Sequence, residues 1–204
     1  MTYIQSNAHK GFAAVIGLSA ILTLVVQTGI DVVSGDALFH SIWIQARYFT
    51  NLMVFTVGIY FFLVWRGVIQ SRPDWTSAIT VWILLVGIVY HALLTATHNP
   101  EGLDVAVNLM QHTIIPIAVL VYWVRHVAKG ELHMVLPFIW LVCPTVYVAY
   151  VLLRGEFDNA YPYFFLNPDK IGWPGVLAYV IGLGAFFYIS GALLVLAARR
   201  FRHA

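Results

Sequence analysis

Charged side chains are scarce in this sequence. Asp, Glu, Lys and Arg together make up 10% of its 204 residues, against about 25% in an ordinary soluble domain. Hydrophobic residues make up 61%, and mean hydropathy is +0.82. Such a chain cannot cover itself with a charged surface in water. Cysteine is nearly absent too. The single Cys143 excludes an intramolecular disulfide framework; beside Pro144 in an apolar run, it is expected to be an inert buried thiol. No repeat, low-complexity stretch or composition shift marks a second domain, so one domain over 1–204 is expected. A net charge of +2 says little about partners until the charges are placed; nucleic acid is not among the expected partners.

What is present is a series of long uncharged runs. Asp, Glu, Lys and Arg are missing from 11–30, 48–65, 75–100, 105–124, 132–153 and 171–198. A helix rises about 1.5 Å per residue, so about 20 apolar residues cross a hydrocarbon layer of about 30 Å. The runs predict an all-α polytopic membrane protein, a bundle of six transmembrane helices near 11–30, 48–65, 76–98, 106–125, 134–153 and 174–198. Barrel strands are a poor fit, being about 10 residues long with alternating polarity. The first run exceeds the apolar core of a signal peptide, about 7–15 residues, and no clear cleavage site follows it. It is read as a retained helix.

The few charges suggest an orientation. With the N-terminus cytoplasmic, the inner segments hold Lys10, Arg66, Arg72, Arg125, Lys129, Arg199, Arg200 and Arg202. The outer segments hold only Arg47, Arg154 and Lys170. Eight against three agrees with retention of basic residues on the cytoplasmic side, so both termini are expected inside, in an inner or plasma membrane.

Polar groups within the apolar runs are the candidates for chemistry, because each is costly in hydrocarbon. The second run opens with Arg47, Tyr48, Phe49, Thr50 and Asn51. The fourth carries Asn108, Gln111, His112 and Thr113. The third ends with His91, Thr95, Thr97 and His98. Helices 2 and 4 both run inward in this orientation, which permits Thr50 and His112 at similar depth. A threonine hydroxyl is a weak nucleophile until a base takes its proton, and neutral histidine suits that role. Asn108, one turn before His112, is placed to orient the imidazole. Pro116 removes the helical partner of the His112 carbonyl and predicts a kink. Asn51 is a candidate to help stabilise an oxyanion. Arg47, three residues before Thr50, is expected on the same helix face about one turn outward, where its guanidinium could anchor a substrate carboxylate. Asp104 is the nearest acid, but about two turns from His112. Each residue also has an ordinary structural reading: a threonine bonding back to the carbonyl four residues earlier, a histidine in an interhelical bond, an arginine anchoring a helix at the interface.

Three segments resemble the androgen-induced gene protein family, which includes the androgen-dependent regulator of tissue factor pathway inhibitor. They are Arg47-Tyr48-Phe49-Thr50-Asn51, the run from Asn108 through His112-Thr113 to Pro116, and Tyr147 to Asn167 with its Tyr161-Pro162-Tyr163 element. They occur in the family's order, although Pro116 stands one residue closer to the histidine than in its pattern. The resemblance implies a multi-pass threonine hydrolase that cleaves fatty-acid esters of hydroxy fatty acids, with Thr50 as nucleophile and His112 as its partner. It implies a membrane lipid or fatty-acid ester as substrate and no cofactor or metal. His91 is carried as a supporting residue without an assigned part. Two other readings stay open: a transporter or scaffold, and a haem-binding electron carrier in which His112 pairs with His91 or His98.

Overall fold

A computed structural model describes residues 7–96, 98–127 and 132–200. Thr97, Lys129 and Arg202, which entered the reading of the sequence, lie outside the described residues. The architecture is all-α and polytopic, with no strand among the described residues. Six helical segments are long and apolar enough to cross a membrane: Ala8–Val33, Phe49–Arg66, Pro73–Leu94, Leu103–His126, Leu136–Asp158 and Pro168–Arg200. The protein is therefore an integral, multi-pass membrane protein.

The sequence carries no domain boundary, since composition is apolar throughout. Contacts nevertheless divide the chain into two compact units, Met1–Ala128 and Lys129–Ala204. The first contains α1 (Asn7–Val33), α2 (Leu38–Gln45), α3 (Phe49–Arg66), α4 (Pro73–Val89), α5 (Leu103–Leu109) and α6 (Ile115–His126). Hydrophobic driving force between helices is lost in lipid, so close van der Waals packing must hold them together. Small residues allow it between α1 and α3. A Cβ on Gly17 would lie 2.7 Å from the backbone nitrogen of Phe62, and one on Gly58 would lie 3.0 Å from Ile21. At the start of α1, His9 hydrogen-bonds the Tyr122 hydroxyl of α6.

The centre of this unit is α4. Its apolar stretch is 61% buried, against 28% for that of α1. Pro73 opens α4, where its missing N–H costs nothing. The third helix ends at Leu94 and not near residue 98, so His98 stands beyond it in the connection to α5. Gly67, in the left-handed region at φ 71°, closes α3, and the Val68 N–H returns to the Leu63 carbonyl at 3.0 Å.

Two departures from the expected helices matter for the site. The outer segment near 31–46 contains α2, a short helix whose buried Ser41 donates to Asp31 at 2.6 Å. And Arg47 is not part of α3. Tyr48 is extended at φ −89°, ψ 128° as the helix N-cap, so Arg47 lies in the turn between α2 and α3. The expectation that Arg47 and Thr50 share a helix face is corrected accordingly.

The second unit holds α7 (Leu136–Trp140), α8 (Val142–Asp158), a 3₁₀ turn at Phe164–Leu166 and α9 (Pro168–Arg200). Gly155 lets the Tyr161 ring lie on α8, where any Cβ would overlap it. Within α9, Gly172 leaves helical geometry at φ 69°, ψ 160°, two residues before Pro174. Leu177, Ile181, Ile189, Leu193 and Leu196 of α9 are exposed on the chain, as side chains facing hydrocarbon should be.

Candidate functional site

The site forms where two π turns meet. One extends α4 over Tyr90–Leu94, and the other joins α5 to α6 over Met110–Ile114. Pro116 accounts for the local strain in the second. It has no N–H for the His112 carbonyl, and widening the helix here accommodates the loss. The expected kink is thus a π turn. The freed carbonyl points at α4, where Gly87 makes room for it: a Cβ on Gly87 would lie 2.6 Å from the His112 oxygen.

Thr50 occupies the first turn of α3, and its Oγ1 lies 3.4 Å from His112 Nε2. Both residues are buried, at 9% and 8% exposure. The contact is long for an O–H···N bond but within the looser range of an unliganded catalytic pair. The other imidazole nitrogen settles the proton's position. His112 Nδ1 lies 3.1 Å from the backbone carbonyl of Asn108. A carbonyl only accepts, so Nδ1 carries the hydrogen and Nε2 is left as an acceptor facing Thr50. The Thr50 hydroxyl therefore donates to His112.

Asn108 bonds the imidazole as expected, but through its main chain. Its backbone, and not its side chain, orients His112. The side-chain Nδ2 lies 3.2 Å from His98 Nδ1. Sequence spacing of four residues cannot separate these possibilities, because both place Asn108 on the same turn. Asn51 is likewise occupied. Its Nδ2 donates to the Gln45 carbonyl at 3.3 Å, and its Oδ1 accepts from Gln111 at 3.1 Å. It braces α3 against α2 and the second π turn. His91 Nε2 lies 3.0 Å from Thr113 Oγ1, which ties the two π turns together beside the site. Asp104 accepts from Gln27 at 3.4 Å.

Residues not singled out in the sequence complete the setting. The Tyr90 ring stacks on the His112 imidazole, with centroids 3.9 Å apart and planes at 24°. Its hydroxyl lies 3.2 Å from His98 Nδ1. Gln45 Nε2 donates to Asp31 at 2.7 Å, alongside Ser41. This polar network joins α1 to α2 and, through the Gln45 carbonyl, to Asn51. No periodicity marks Tyr90 as different from other aromatic residues. The pairing of Asp31 with Ser41 and Gln45 depends on α2, which the sequence reads as loop.

His112 has little room for a flat macrocycle. Its two nitrogens face Thr50 and Asn108, and Tyr90 covers one ring face. Among the described residues no group of three or more His, Cys, Asp or Glu side chains could hold a metal ion. An apolar groove of about 570 Å³ lies between α1, α2 and α3, with Ile21, Leu24, Ile42, Phe55 and Ile59 among its lining. Phe55 and Ile59 follow Thr50 by roughly 140° and 180° around α3. The groove is thus on the far side of that helix from the Thr50–His112 pair.

No family model matches this chain, and neither the curated proteins nor the solved structures contain a match to it.

Proposed function

We propose that the protein is a membrane-embedded hydrolase of lipid esters, with Thr50 as nucleophile and His112 as general base and acid. The observation that carries this reading is the buried Thr50–His112 contact, with the hydroxyl aimed at the unprotonated nitrogen. In the reaction, His112 Nε2 takes the hydroxyl proton as Oγ1 attacks the ester carbonyl carbon. The tetrahedral intermediate collapses, the alcohol leaves with the proton from Nε2, and an acyl-threonine remains. Water, activated by the same nitrogen, releases the fatty acid and restores Thr50. The resemblance of the Thr50 and His112 segments to the androgen-induced gene protein family supports this chemistry. It also suggests the substrate class, fatty-acid esters of hydroxy fatty acids.

Such substrates carry a free carboxylate and long apolar chains. Arg47, half-buried in the turn before α3, is proposed to bind the carboxylate through its guanidinium, with the chains in the bilayer. The orientation proposed is both termini cytoplasmic. That places the start of α3, and with it the site, toward the outer side.

The test uses purified protein in nanodiscs. Wild type should release fatty acid from an ester of a hydroxy fatty acid and accept a fluorophosphonate probe. Thr50→Ala should lose both while inserting and purifying normally. A Thr50→Ala variant that still hydrolyses the ester at the wild-type rate rules out this nucleophile.

A further inference from the structure

Taking a proton from Thr50 puts a positive charge on His112 in a buried place. In a serine-type triad a carboxylate behind the imidazole answers that charge. Here the position behind Nδ1 is held by the neutral Asn108 carbonyl. The other nitrogen of His112 faces Thr50, and the Tyr90 ring covers one face of the imidazole. Asp104 is turned to Gln27.

Tyr90 is placed to supply what the carbonyl does not. At 3.9 Å between centroids and 24° between planes, its π face lies flat on the imidazole. The face of an aromatic ring is negative and attracts a cation within about 6 Å of its centroid, most strongly where water is excluded. Tyr90 is 6% exposed and His112 8%. The attraction is greater for the imidazolium than for neutral imidazole, so it favours the charged form that arises during reaction. The tyrosine is also fixed in place. Its hydroxyl reaches His98 Nδ1 at 3.2 Å, and the same nitrogen lies 3.2 Å from the Asn108 amide. Tyr90 and Asn108 are thus both held against the same edge of the His98 ring.

Building on the hydrolase reading above, we infer that Tyr90 is a positioning residue whose ring face stabilises the His112 imidazolium, in place of a triad acid. His98 holds that ring in register from outside the helix.

The inference is tested at position 90 by ring electronics at nearly constant shape. Tyr90→Phe keeps the face and should retain kcat within about threefold. Replacing that phenylalanine with its monofluoro, difluoro and pentafluoro analogues withdraws charge from the ring face in steps. We expect kcat to fall with each step, to a total loss of roughly tenfold to thirtyfold, the size of a desolvated cation–π contact. KM should stay unchanged, because the charge is absent in the ground state. Tyr90→Leu should lose at least as much. A packing role would leave the fluorinated series flat, and a flat series in active protein overturns the inference on Tyr90 alone. If wild type neither hydrolyses the ester nor labels at Thr50, the hydrolase reading fails and this inference with it.

Discussion

At the residue scale, Thr50 and His112 are joined by one hydrogen-bond contact, and neither has a use in the proposed chemistry without the other. Their effects should therefore not add. Thr50→Ala and His112→Ala should each reduce ester hydrolysis to background, and the double variant should be little worse than either single one. Initial rates of fatty-acid release measure this; a double variant that loses the product of the two single effects would separate the residues. Asn108 gives a contrasting expectation. Its backbone oxygen holds His112, so Asn108→Ala keeps that bond and removes only the contact with His98. Activity should fall by no more than about threefold, a change near the size of one weak hydrogen bond. Arg47 is tested by comparing two substrates. Arg47→Gln should sharply slow turnover of a free-acid ester and leave its methyl-esterified analogue nearly unchanged, since only the first has a charge to bind. Equal losses on both would assign Arg47 to the turn between α2 and α3.

Thr50, His112 and Asn108 were legible as candidates because polar side chains are rare and costly in apolar runs. The parts they take were less so. Asn108 could be placed near His112 by spacing, but spacing does not distinguish a side-chain amide from a carbonyl. Arg47 was assigned to the Thr50 face because the apolar run was read as continuous helix. The extended Tyr48 N-cap interrupts that run, and nothing in its composition signals the break.

At the element scale, the site depends on how closely α4 approaches the second π turn. Gly87 is the point of contact, with 2.6 Å between its ideal Cβ and the His112 carbonyl oxygen. That oxygen belongs to backbone and has little room to yield. Gly87→Ala should force the two elements apart, destabilise the protein by about 1–3 kcal/mol and lower activity together with stability. Gly184→Ala is the control, since no atom lies within 4 Å of its ideal Cβ. It should leave the midpoint of thermal unfolding in detergent unchanged or slightly raised. Equal midpoints for the two variants would mean that the Gly87 contact is not tight. Pro116 announced a disturbance here, because a missing N–H frees a carbonyl wherever the helix goes. Its form as a π turn, and the matching π turn at Tyr90–Leu94, arise from packing between helices.

At the scale of the whole molecule, the proposed orientation rests on eight basic residues on one side and three on the other. Single cysteines at Ser34, Asn99 and Lys170, in a Cys143→Ala background, should react with an impermeant maleimide in intact cells. A cysteine at Gln70 should react only after permeabilisation. All four positions are exposed, so access reports sidedness. Labelling of Gln70→Cys alone in intact cells would reverse the orientation and place the Thr50 site toward the cytoplasm.

The number of spans, their helical nature and their approximate limits were determined by the sequence itself. The reason is local: a backbone segment in hydrocarbon must satisfy its own hydrogen bonds, and a helix of sufficient length does so without help from the rest of the chain. Tertiary structure alone decided which polar groups meet. Tyr90 lies 22 residues before His112 and Thr50 lies 62 before it. They converge because Gly87 admits a carbonyl, two π turns rotate their side chains inward, and α2 ties α1 to the start of α3. Those are contacts between segments, with energies set by distances of a few tenths of an ångström, and hydrophobic periodicity carries no record of them.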